Sequence, residues 1–146
     1  MDKFNFLEVV KRLEAAKSPL MVKLANQAQR HFVATFDKQG FDGKNWQEVK
    51  RRMPGTPEYK YPRSKGLSRQ TSPILVRTGT LRKLVNKSVK AVTPHSILLT
   101  VAAPYAKYLN DGTGKMVRRR FMGDNAILRK EQKEKMYAEL ERIWQG

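Results

Sequence analysis

The chain has 146 residues, 40% of them hydrophobic, which is the size and apolar content of one ordinary domain and argues against intrinsic disorder. Thirty Lys and Arg stand against thirteen Asp and Glu. The resulting net charge of +17 points to an anionic partner (nucleic acid, an acidic membrane face or an acidic protein surface) or to a solvated surface kept soluble by charge. Cysteine is absent, which excludes disulfides, thiolate catalysis and thiolate metal sites and fits folding in a reducing cytoplasm.

The start, Met1-Asp2-Lys3-Phe4-Asn5, has no basic segment leading into an apolar one, so no secretory signal is expected. No apolar run approaches the roughly 20 residues that cross a bilayer. A soluble protein without a membrane partner follows as the expectation.

Asn5 and Glu8 have the spacing of a capping box, and Phe6, Leu7, Val10 and Leu13 recur at helical spacing behind them. Ser18-Pro19 punctuates this run and predicts a second helix, with Leu20, Leu24, Ala28, Phe32 and Thr35 or Phe36 inward and Gly40 as its left-handed cap. Residues 41–73 read as a long basic loop. It carries Lys44, Lys50, Arg51, Arg52, Lys60, Arg63, Lys65 and Arg69, with Arg77 just beyond, against Asp42, Glu48 and Glu58. Pro54-Gly55-Thr56-Pro57 suits no regular element. A loop of this length in a small domain is either functional, ordered on assembly, or a floppy insertion.

Residues 74–123 read as a sheet region. Leu84 to Val92 alternates loosely, Ile97 to Val101 is a short apolar run, and Thr93-Pro94-His95-Ser96 between them suits the turn of an antiparallel hairpin. Tyr105 to Leu109 fits one helical turn before the breaker Asn110-Asp111-Gly112, and Val117 to Met122 a short extended piece. Asp124 or Asn125 caps a C-terminal helix over 124–146, with Ile127, Leu128, Met136, Leu140 and Ile143 as its apolar face. The expected fold is one α+β domain over 1–146: a small antiparallel sheet flanked by N-terminal helices and a C-terminal helix, with the long basic loop between.

Chemistry is hard to find. The two histidines, His31 and His95, have no carboxylate at a spacing that makes a catalytic base or metal site, and a lone helical histidine is usually structural. Gly112-Thr113-Gly114-Lys115 lacks the glycine spacing of a phosphate loop, and Met116 stands where Ser or Thr is required. The thirteen carboxylates form no evident dyad. No enzyme, no cofactor and no metal are expected. Tyr59-Lys60-Tyr61-Pro62-Arg63 interleaves aromatic and basic residues as single-strand binders do, yet no zinc-finger, RNA-recognition or helix-turn-helix pattern accompanies it. Arg118, Arg119 and Arg120 suit phosphate contacts or bidentate pairs with a neighbour's carboxylates.

Four segments in order carry a resemblance: Phe41-Asp42-Gly43-Lys44-Asn45-Trp46, Ile74 through Arg82 around Arg77-Thr78-Gly79-Thr80-Leu81, Pro104 through Thr113 around Tyr105, Tyr108 and Gly112, and Arg119-Arg120-Phe121-Met122-Gly123. Together they resemble the phage virion morphogenesis family, the tail-completion proteins of Mu-like and P2-like phages, and are similar to the neck and tail-component proteins of HK97-like phages. The likeness covers roughly residues 20–140. The family often has His-Gln where this chain has Asn110-Asp111, and Arg-Pro-Phe where it has Arg119-Arg120-Phe121.

The resemblance implies a structural protein of a tailed phage or prophage. Such a protein caps the tail tube or joins tail to head in the virion after assembly in the host cytoplasm, commonly as a ring of six. Its partners would be copies of itself, tail-tube and head-completion or adaptor proteins, and genomic DNA passing through. Trp46, Gly79, Leu81, Tyr105, Tyr108, Gly112 and Phe121 are the expected motif residues. Trp46 is expected buried at the start of the basic loop, Gly79 and Gly112 in positive-φ turns, Tyr105 and Tyr108 facing one way, and Phe121 anchoring the last helix. Lys50, Arg51, Arg52, Arg63, Lys65, Arg69, Arg118, Arg119 and Arg120 are the candidate contacts to acidic subunits or DNA. A basic nucleic-acid-binding module is the alternative reading.

Overall fold

The computed structural model describes residues 4–61 and 68–146, leaving aside the side chains of residues 68 and 69. It is an α+β fold, with a long helix at one end of the chain, a second long helix at the other, and two small antiparallel hairpins between.

Helix α1 runs from Phe6 to Lys38. Asn5 caps it as expected, its side chain accepting from the Glu8 amide at 3.3 Å. The expected break at Ser18-Pro19 does not occur: α1 continues through Pro19 as one helix of 33 residues, about 50 Å long. Proline deprives the Ala15 carbonyl of its helical donor, a local cost of about 3 kcal/mol. Packing on both sides of the proline outweighs that cost. Leu24, Ala25, Ala28, Phe32 and Phe36 beyond it enter the core, and Val9 before it is buried against the last helix. The apolar residues of the first turns, Phe6, Leu7 and Val10, lie in the helix as their spacing predicts and are exposed.

The left-handed cap falls on Gln39 (φ 52°) rather than Gly40. Gly40 instead opens strand β1 (Gly40–Phe41), which pairs antiparallel with β2 (Lys44–Asn45). A Cβ at Gly40 would run into the Lys44 carbonyl oxygen. Asp42 and Gly43, both at positive φ, form the two-residue turn whose twist suits a tight hairpin.

The long basic connection holds short elements among its described residues: a 3-10 turn at Lys50–Arg52, α2 (Pro57–Lys60) and α3 (Ser68–Thr71). Thr56 caps α2, its hydroxyl accepting from the Tyr59 amide.

Helix α4 (Thr80–Val85) takes the start of the run read as strand. Leu81 and Val85, four apart on one face of this helix, both enter the core. The strand β3 begins later (Val89–Val92) and pairs with β4 (Ile97–Leu99) through the expected Thr93–Ser96 turn, with a bulge between Val89 and Ala91. Two strands alone are marginal in water, and this hairpin lies against α1.

Helix α5 (Ala106–Asp111) ends on Gly112. The expected extended piece at Val117 to Met122 joins no ladder among the described residues; the amides of Arg119, Phe121 and Met122 are taken by a helix end and a side chain, as described below. Helix α6 (Ala126–Gln145) is capped by Asn125, whose Oδ1 accepts from the Leu128 amide at 2.9 Å. Of its expected apolar face only Leu128 and Ile143 are buried; Ile127, Met136 and Leu140 stay exposed.

Candidate functional site

The motif residues converge on one core. Phe36 of α1 meets the Trp46 ring edge-on at 5.8 Å and the Phe121 ring at 5.7 Å. Trp46 and Phe121 are buried as expected, and Leu81 packs in the same cluster with Ile74 and Leu128. The Trp46 indole N–H donates to the Arg120 carbonyl at 2.7 Å, so the start of the basic stretch is tied to the segment before α6. Trp46 also donates its own amide to Gln39.

Two residues that sequence reasoning passed over do much of this joining. Gln39, at the end of α1, accepts from the Ile74 amide and donates to the Ile74 carbonyl. Asn110, at the end of α5, accepts through Oδ1 from the amides of Phe121 (3.0 Å) and Met122 (3.1 Å), while Leu109 accepts from Arg119. The available signal for Asn110 was its place in the family motif, at a departure from the usual residue. Gln39 carried none beyond its place before Gly40.

Gly79 (φ 73°) and Gly112 (φ 77°) occupy the expected positive-φ positions. They differ in surroundings, since a Cβ at Gly112 would stand 3.0 Å from the Arg118 Cβ, whereas none would be met at Gly79. Tyr105 and Tyr108 are 45% and 54% exposed, so neither ring is buried in the sheet. The structure brings Trp46, Leu81 and Phe121 together in the core and leaves these two tyrosines at the surface.

The candidate cations divide by what they touch. Arg51 donates to the carbonyls of Ser72 and Pro73, closing the basic connection on itself. Arg52 pairs with Glu48 at 3.4 Å, and Lys50 approaches Glu58 at 4.0 Å from a largely exposed position. Arg119 donates to the carbonyls of Gln47 and Glu48; burial lowers its pKa below the ordinary arginine value, against the raising influence of Glu48. The Arg120 guanidinium lies 5.2 Å over the Phe41 ring and is tucked against Gly123. Arg118 is the exposed member of the three. Arg63, Lys65 and the side chain of Arg69 lie outside the described residues.

No family model, curated protein or solved structure matches this chain.

No cluster of three metal-ligating side chains occurs among the described residues. His31 is half-buried, 4.0 Å from Glu131, and burial lowers its pKa despite that carboxylate. His95 sits in the β3–β4 turn, its amide donating to Thr93. No helix of the described residues is long and apolar enough to cross a membrane.

Proposed function

We propose that this protein is a structural component of a tailed-phage or prophage particle: a tail-completion, tail-terminator or neck protein whose copies close into a ring at the head–tail junction. The carrying observation is that the four segments bearing the family resemblance interlock. Trp46 from the first bonds to Arg120 in the last, Leu81 from the second shares their core, and Asn110 from the third holds the amides of Phe121 and Met122. Motifs that serve to fix loops on a scaffold suit a protein whose work is geometric. A closing ring of identical subunits is the symmetry that such a junction demands.

Electron microscopy of the purified protein, alone and mixed with tail tubes and head-adaptor proteins, tests this. Closed rings, or caps on tube ends, are the expected images. A chain that stays monomeric and decorates neither partner sinks the reading.

A second reading draws on Lys83, Lys87 and Lys90, which are exposed near the α4–β3 connection and pair with no carboxylate among the described residues. A nucleic-acid-binding module predicts DNA or RNA affinity that falls steeply as salt rises. Absence of binding at low ionic strength removes it.

A further inference from the structure

The apolar side chains that α1 and α6 leave outside the core are concentrated at one end of the helix pair. Phe6, Val10 and Leu13 stand on one face of α1 at helical spacing, and Met136 and Leu140 on one face of α6 beside the buried Ile143. Val9 and Leu13 line a groove with Tyr137, Leu140, Ile143 and Trp144, and the Phe4 ring lies 5.1 Å from that of Trp144. Phe6, Tyr137 and Trp144 are each at least 60% exposed.

The size of this surface is informative. Taking about 200 Å² for a whole aromatic side chain, the exposed parts of Phe4, Phe6, Met136, Tyr137, Leu140 and Trp144 come to on the order of 600 Å². That is the upper end of the largest apolar patch on an ordinary monomer. It is also most of the roughly 800 Å² that each partner contributes to a stable interface.

Charge selects the occupant. Elsewhere the chain is strongly basic, so two copies approaching by most surfaces repel each other. Residues 4–16 carry two acidic and two basic side chains, and residues 126–146 carry four acidic and five basic. These two stretches therefore hold only +1 of the net +17, leaving +16 for the rest. The stretches least repulsive to a second copy are also the ones that carry this exposed apolar groove. A strongly acidic partner would be drawn to the other surfaces instead.

We propose that the groove and flanking faces of α1 and α6, centred on Leu140 and Trp144, form a contact with a second copy of this chain. The inference does not depend on the place in a virion argued above. Because the contact is apolar and the remaining surfaces repel, association strengthens as salt rises, opposite to the behaviour of nucleic-acid binding.

Sedimentation equilibrium of the full chain across concentration, at low and high salt, is the test. The wild type is expected to exceed the mass of one chain, more so at high salt, and Trp144→Glu and Leu140→Lys to weaken association at least tenfold. Both positions are substantially exposed, and far-UV circular dichroism checks that each variant keeps its helices. If either loses them, Tyr137→Lys, at a position 60% exposed, carries the same expectation. A wild type that remains monomeric at the highest concentration overturns the proposal, including the case in which it floats with neutral phosphatidylcholine vesicles instead. Variants that associate as tightly as the wild type overturn it too, and leave the ring reading standing on another surface. Surface-dependent association without closed rings in the microscope supports the contact and counts against the ring.

Discussion

The side-chain amide of Gln39 grips the backbone of Ile74 at both polar atoms: Oε1 accepts from the Ile74 amide, and Nε2 donates to the Ile74 carbonyl at 3.2 Å. Ile74 is 4% exposed, so its peptide groups have little water to fall back on. Gln39→Leu removes both partners together, and leaving buried backbone groups unpaired costs about 1–3 kcal/mol. The urea midpoint is expected to fall by the corresponding amount with an unchanged slope. Gln39→Glu keeps the acceptor and loses the donor, so an intermediate loss is expected.

Trp46 separates packing from hydrogen bonding at one position. Trp46→Phe retains an aromatic ring beside Phe36 but strips the donor from the Arg120 carbonyl, for an expected loss of about 1–2 kcal/mol. Trp46→Ala also opens a cavity under the basic connection and is expected to cost about 3–5 kcal/mol. Chemical denaturation of the two variants measures the difference. Equal losses would mean that the ring contributes little beyond its N–H.

Gly79 and Gly112 look alike in sequence and in φ, yet differ in what surrounds them. Gly79→Ala meets open space and bears only the strain of a left-handed alanine, on the order of 1 kcal/mol. Gly112→Ala bears the same strain and presses its methyl on Arg118, whose backbone is held by the hydrogen bonds of Arg119 to either side of the connection. The expected order of thermal midpoints is wild type, then Gly79→Ala, then Gly112→Ala.

Where local chemistry and tertiary packing agree, the chain was legible. The Asn5 cap, the Thr93–Ser96 turn, the buried Trp46 and Phe121, and the positive φ of Gly79 and Gly112 all follow from side chains that have few other uses. Pro19 misled because a proline in a helix is costly by itself, and only distant contacts made by Phe36 and Val9 show why the helix continues. The run from Leu84 misled because Leu81 and Val85 set a helical period that overlaps a strand-like one. Arg119 and Arg120 read as surface charge, whereas Arg119 bonds to backbone and Arg120 stacks on a ring from the distant residues 41–48. Such pairings across some seventy residues leave no local signature.

His31 offers the fold's clearest dependence on pH. It faces Glu131 of α6, Lys38 of α1 and Asp42 of the first turn, and burial, the largest influence, lowers its pKa below the ordinary histidine value of about 6.5. The unfolded chain therefore binds a proton more readily than the folded one. This group's contribution to stability is fully present above about pH 6.5 and is lost as pH falls from there toward the folded pKa, below which it no longer changes. His31→Gln is expected to flatten that part of the urea midpoint–pH curve. Glu131 raises the pKa and so limits the loss; Glu131→Gln drops the folded pKa further and is expected to deepen the acid-side decline. Opposite effects of the two substitutions on one slope identify His31 as its source, and equal effects would assign it to the carboxylates.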